Sequence, residues 1–220
     1  MPERDSAARI AGALLMLTAV INAVSAMARF AADTDQPTLA ETLSAIHLNQ
    51  GLYGLGGVSR ITAGFTLIAA ARYLLRTRII RDGHGTPLVP GLFAASGAFN
   101  IVSGACAVIL AAYAPAINPL IESSAFLRWS TGKTGFALAG LALVVASRYP
   151  WRVGSALRSI APVSAIVGVA MQFIWIDSAT VAHPIVGAAF FLCLLAVGSM
   201  LFTGRTQRSS RRVVDSDSPA

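Results

Sequence analysis

Charge is scarce in this chain. Lys, Arg, Asp and Glu make up 12% of its 220 residues and only ten are acidic, against ~25% charged residues in an ordinary soluble domain. So little charge cannot cover the surface of a water-soluble protein of this size. Cysteine is nearly missing too. Cys106 and Cys193 both lie inside apolar runs without C-x-x-C spacing, which excludes a disulfide framework and a zinc site and leaves them as small interior residues. The three histidines, His47, His84 and His183, fall in loops or at helix ends, not inside paired helices as haem ligation usually requires. Neither H-e-x-x-H nor G-x-S-x-G spacing occurs. No catalytic residue, metal or cofactor is therefore implied.

What the chain has instead is apolar length. Residues are 55% hydrophobic and mean hydropathy is +0.66, and six stretches stand out: Ile10–Ala28, Leu52–Ala71, Leu88–Tyr113, Trp129–Ser147, Ile160–Ile176 and Pro184–Thr203. Each approaches the ~20 residues that cross ~30 Å of hydrocarbon as a helix. Thirteen of the seventeen Lys and Arg residues flank the ends that six crossings would place on one side: Arg4, Arg9, Arg72, Arg76, Arg78, Arg81, Arg148, Arg152, Arg158, Arg205, Arg208, Arg211 and Arg212. The positive-inside rule makes that side cytoplasmic. The expected fold is thus all-α, a polytopic membrane protein of six transmembrane helices with both termini cytoplasmic. Tyr53, Tyr113, Trp129 and Trp175 would line the outer interface and Tyr73, Tyr149 and Trp151 the inner one, as aromatic belts do.

Residues 1–9 then form a cytoplasmic N-terminus, 10–204 the membrane domain, and 205–220 a disordered cytoplasmic tail, Ser-rich and basic then acidic. The first run is longer than the ~7–15 residues of a signal-peptide core, so it reads as a span. Between the first two spans Thr38 and Glu41 form a T-x-x-E capping box ahead of Leu43 and Ile46, which predicts a short outer helix around 38–50. Pro90, Pro162 and Pro184 are expected in the first turns of three spans, where a missing N–H is cheap. The basic balance, with a pI near 10.4, points to anionic lipid headgroups beside the inner loops, not to nucleic acid.

Polar residues within the spans are the candidates for function. Arg60 shares a face with Gly56, Gly57 and Gly64, small residues that admit a neighbouring helix and turn the charge into the bundle. An intramembrane arginine costs at least ~2.5–3.5 kcal/mol to insert, so it marks a functional site by default. Its alternative is a structural side chain snorkelling outward. Lys133 lies near the outer end of the fourth span within Ser130-Thr131-Gly132-Lys133-Thr134-Gly135; Leu127 stands where a P-loop needs glycine, so this is no nucleotide site. Asn22, Ser25 and Arg29 share a face of the first span, Ser96, Asn100 and Ser103 a stripe of the third, and Gln172 and Asp177 close the fifth. Arg29, Arg60, Arg128, Lys133, Gln172 and Asp177 all map to the outer half or its border, while the inner halves of the second, fourth and sixth spans are almost free of polar groups. A channel needs polar groups at every level. The pattern predicts an outward-facing cationic pocket built from Arg60, Lys133, Asn100, Gln172, Asn22, Arg29 and Asp177, which binds or moves a small anionic or amphiphilic molecule, a lipid headgroup included. The competing readings are a non-catalytic membrane scaffold whose arginine loops and tail dock a partner, and an outer-face membrane enzyme.

The strings Ala8-Arg9-Ile10-Ala11-Gly12-Ala13-Leu14-Leu15, Asn49-Gln50-Gly51-Leu52-Tyr53 and Tyr149-Pro150-Trp151-Arg152 resemble an uncharacterised family of six-span bacterial membrane proteins, the domain-of-unknown-function 4386 type. That resemblance implies a bacterial inner membrane and carries over no activity and no site residue.

Overall fold

The computed structural model describes residues 6–149, 155–175 and 182–204, and they are all helical apart from connections. Among the described residues eight α-helices follow one another: α1 (Ser6–Ala31), α2 (Leu39–Leu48), α3 (Gln50–Leu75), α4 (Arg78–Arg81), α5 (Leu88–Tyr113), α6 (Pro119–Ala146), α7 (Ser155–Ala170), which continues as a 3-10 turn over Met171–Trp175, and α8 (Ala182–Thr203). Five of them, α1, α3, α5, α6 and α8, are long and apolar enough to cross a membrane. The chain is a multi-pass, all-helical membrane protein. Arg4, Arg152, Asp177 and the tail from Arg205 onward lie outside the described residues.

α1, α3, α5, α6, α7 and α8 pack in that order, each against the next, and α1 closes the series on α8. Neighbours run antiparallel, because pairs of contacting residues converge in opposite directions along the chain. Ser96 and Ser103 of α5, for instance, donate to the carbonyls of Gly135 and Arg128 of α6. The ring therefore brings both ends of the described chain to the end opposite α2, where the Arg9 guanidinium stands 5.3 Å over the Phe202 ring. Arg9, Arg72, Arg76, Arg78, Arg81, Arg148 and Arg158 are all exposed. They sit near this same end of their helices.

Interior and exterior are exchanged relative to a soluble bundle. Ala11, Ala70 and Ala142 are fully buried while Ile166 is 70% and Leu192 65% exposed. Small residues bring helix backbones together where lipid makes apolar burial worth little, and large apolar side chains face the lipid. The closest approaches are glycine on glycine. Gly57 meets Gly104 and Gly64 meets Gly97 at the α3–α5 crossing, Gly140 meets Gly168 at α6–α7, and Gly12 meets Gly198 at α1–α8. At α3–α5 the residue four places beyond each glycine, Ile61, Ile68, Ile101 or Val108, lies over the opposing glycine. Each pair is thus a backbone contact sealed on either side by a branched side chain.

Two boundaries differ from those the hydropathy pattern predicts. The fourth long helix starts at Pro119, ten residues before Trp129 and capped by the Asn118 side chain on the Ile121 N–H. Glu122, Ser123 and Ser124 interrupt the apolar run but not the helix. The N-terminal α7 turn begins at Ser155, so Pro162 lies inside a helix and not at its start. The capping box forms as expected, with Glu41 and Thr38 satisfying each other's backbone. It starts α2, whose buried Leu43 and Ile46 pack with Tyr53, Ala107, Leu110 and Ile121 over the ends of α3, α5 and α6.

Candidate functional site

Beneath α2 lies a cavity of about 20 Å³ lined by Ser25 and Arg29 of α1, Tyr53, Gly56, Gly57 and Arg60 of α3, Ala107 of α5 and Arg128 of α6. Four helices contribute because their small residues leave space there. Gly57 is pressed against the Gly104 carbonyl and Val108, which draws α3 onto α5. The Ser25 hydroxyl donates to the Gly56 carbonyl at 2.8 Å, tying α1 to α3.

Arg60 lies about three turns, or ~15 Å, inside the first residue of α3. Its Nη1 donates to the Ser103 Oγ at 2.9 Å, and that hydroxyl donates onward to the Arg128 carbonyl at 2.9 Å. Opposite them Gly132 supplies the room, since a Cβ there would come within 3.1 Å of Ser103 Oγ and 3.3 Å of Arg60 Nη1. The Arg128 guanidinium sits 5.2 Å over the Tyr53 ring, a cation–π contact. At the rim Arg29 Nη2 reaches both carboxylate oxygens of Asp35, at 2.5 and 2.8 Å. Arg29 and Arg128 add their positive charge to that of Arg60, and Asp35 opposes them.

Two donors in this cluster have no acceptor among the described residues. Tyr53 is 3% exposed and its hydroxyl is buried without a hydrogen-bond partner. The Arg29 Nε is buried and unpartnered in the same way. Leaving such a group unsatisfied costs about 1–3 kcal/mol, more when it is charged. Three guanidinium groups and a phenol O–H, with one accepting carboxylate at the rim, make a site built to donate hydrogen bonds.

Of the residues singled out in the sequence, Arg60 and Arg29 line this cavity. Asn22 donates to the Thr18 carbonyl on its own helix, and Asn100 is half-buried one turn from Ser103 toward the opposite end. Gln172 bridges the Ala137 and Gly168 carbonyls at the α6–α7 crossing. Lys133 is buried with its ammonium 4.4 Å over the Trp129 ring. None of these four lines the cavity, and Asp177 lies outside the described residues. His47 Nδ1 is 3.1 Å from the Ala114 carbonyl, which anchors α2. Arg128 and Tyr53 enter the site although the sequence places them at the interface. Starting α6 at Pro119 puts Arg128 about two and a half turns inside the helix.

A second cavity, apolar and about 150 Å³, opens at the other end of the bundle between Leu74, Ile79, Val89, Phe93, Leu143 and Leu201. The fold and the site together define a multi-pass helical membrane protein with a donor-rich cationic cavity between four helices. No family model, curated protein or solved structure matches the chain.

Proposed function

We propose that this is a six-span bacterial inner-membrane protein, with both termini cytoplasmic, whose outward-facing cationic pocket binds or moves a small anionic or amphiphilic molecule, with Arg60 at the base. The sixth crossing would be α7 and its 3-10 extension. Sixteen α-helical residues at 1.5 Å and five at ~2.0 Å give ~34 Å, which suffices for the hydrocarbon layer. The exposed arginines at the end opposite α2 support a cytoplasmic placement of that end, and the family resemblance supports the choice of membrane.

The observation that carries the functional reading is the state of Arg60. Among the described residues it has a hydroxyl partner, Ser103, and no carboxylate within salt-bridge distance, while two further arginines share its cavity. An arginine kept deep in a membrane bundle for structure alone is normally matched by an acidic group or drawn to the surface. Here the cavity collects like charges and orphan donors, an arrangement that an incoming anion would complete. The apolar cavity at the other end and the sparse polarity of the inner halves favour a pocket over an open pore.

Purified protein in detergent tests this. Anionic ligands should raise the thermal midpoint in a saturable way and cationic or neutral analogues should not, since a ligand that binds only the folded state stabilises it. Arg60→Leu should remove the response. A parent protein indifferent to every anion offered, and an Arg60→Leu variant with full cellular activity, would end the proposal.

A further inference from the structure

We infer that the ligand of the Arg60 cavity is a small inorganic monovalent anion of about halide size, an inference that rests on the anion-binding reading above and narrows it. Size is the first argument. The cavity measures about 20 Å³, enough for one or two water-sized occupants, which need ~10–15 Å³ each by this measure. A compact ring such as benzene needs on the order of 150 Å³. That is the size of the apolar cavity at the far end of the bundle, not of this one, so a headgroup with its chain does not fit here.

The donor set is the second argument. The Tyr53 hydroxyl and the Arg29 Nε are buried donors without acceptors, and both residues line the cavity with Arg60 and Arg128. Tyr53 is the informative one. A guanidinium close to other cations serves many anions, but a neutral phenol O–H held at 3% exposure with no partner among the described residues, in a residue that lines the cavity, is a donor that an acceptor bound there would satisfy. The Gly56 carbonyl already receives the Ser25 hydroxyl, and Ala107 is apolar. Donors from α1, α3 and α6 approach from different sides, which suits a compact ion better than a planar carboxylate gripped by one guanidinium fork. The Arg29–Asp35 pair at the rim, with side chains 34% and 69% exposed, lies on the route by which such an ion would enter.

The test uses the full chain in detergent, at constant ionic strength held with sodium gluconate, with sodium bromide, sodium chloride, sodium nitrate and sodium hexanoate as probes. Chloride and bromide should raise the thermal midpoint saturably. Tyr53→Phe should weaken their half-saturation by about tenfold or more, as expected for losing one hydrogen bond to a charged group, and in gluconate alone it should be at least as stable as the parent because it carries no orphan hydroxyl. Arg60→Leu, checked for folding by gel filtration, should abolish the response. Saturable stabilisation by hexanoate through Arg60 with none by halides overturns the small-ion inference and leaves the anion-binding reading standing. No response to any of the four removes both. A halide response unchanged in Tyr53→Phe and Arg60→Leu places the ion elsewhere and overturns the inference.

Discussion

Arg60 on α3 donates to the Ser103 hydroxyl on α5 at 2.9 Å, and through that hydroxyl reaches the backbone carbonyl of Arg128 on α6. Three helices are joined by one neutral link that ends on the carbonyl of a second arginine. Removing Arg60 does not strand Ser103, whose own donor bond remains.

Arg60→Leu is therefore expected to insert and fold. It loses one hydrogen bond to a charged group, about 1.5–3 kcal/mol, roughly offset by shedding the ~2.5 kcal/mol or more of inserting a charge, so its thermal midpoint in detergent should stay close to the parent's while ligand response is lost. Leu67→Arg is the control on the same helix. Leu67 is 2% exposed within the apolar cluster that includes Ala70, Ala71 and Phe93, so a charge there is buried among apolar side chains and expression in the membrane fraction should collapse. Equal behaviour of the two variants would contradict this.

The glycine crossings give a contrast of sign. A Cβ on Gly64 would lie 2.5 Å from the Gly97 carbonyl and 2.6 Å from Ile101, whereas one on Gly91 meets nothing within 4 Å. Gly64→Ala should destabilise by about 1–3 kcal/mol as an overpacked contact. Gly91→Ala should stabilise by about 0.5–1 kcal/mol by restricting the unfolded chain. Thermal unfolding of the pair in one detergent reads both signs, and a harmless Gly64→Ala would show that α3 and α5 do not cross this closely.

Asp35 neutralises Arg29 at the rim, and as a well-exposed pair it adds at most about 1 kcal/mol to stability. Asp35→Asn should leave the thermal midpoint within a degree or so while tightening anion binding several-fold at low salt, the gain shrinking as salt screens the freed charge. Weaker binding in Asp35→Asn would mean that the carboxylate helps to hold the ligand or to position Arg29.

Orientation is tested by cysteine accessibility in intact cells. A cysteine at Asp35 should react with an impermeant reagent and one at Gly83 should not, if the arginine-rich end is cytoplasmic. The reverse pattern would place the Arg60 cavity on the cytoplasmic side.

Much of the fold is legible in the sequence because each span announces itself twice, by apolar length and by flanking arginine. Thr38 and Glu41 likewise mark the start of α2. The site was partly legible. Arg60 stands out because a charge among glycines inside an apolar run has few explanations, and Arg29 because it shares a face with Ser25. Arg128 and Tyr53 were harder, since each sits where an interfacial anchor is also expected. Hydropathy starts the fourth span at Trp129, while Asn118 and Pro119 carry an N-cap and first-turn signal that extends the helix toward its N-terminus and sinks Arg128. Lys133 and Gln172 illustrate the converse. Depth in the bilayer is read from sequence, but the face toward which a side chain turns depends on where neighbouring helices cross, and that is fixed by glycines pairing between helices. The branched residue four places after Gly57, Gly64, Gly97 and Gly104 was the available signal for those crossings.

The most direct measurement is density for the occupant of the cavity, from crystals or cryo-EM grids prepared in bromide, with anomalous scattering identifying the ion in the crystals. The structure calls for a peak within hydrogen-bonding distance of the Tyr53 hydroxyl, bounded by Arg60 and Arg128 and absent in Arg60→Leu. A cavity filled by water alone, or by an acidic side chain of the protein itself paired with Arg60, would contradict it.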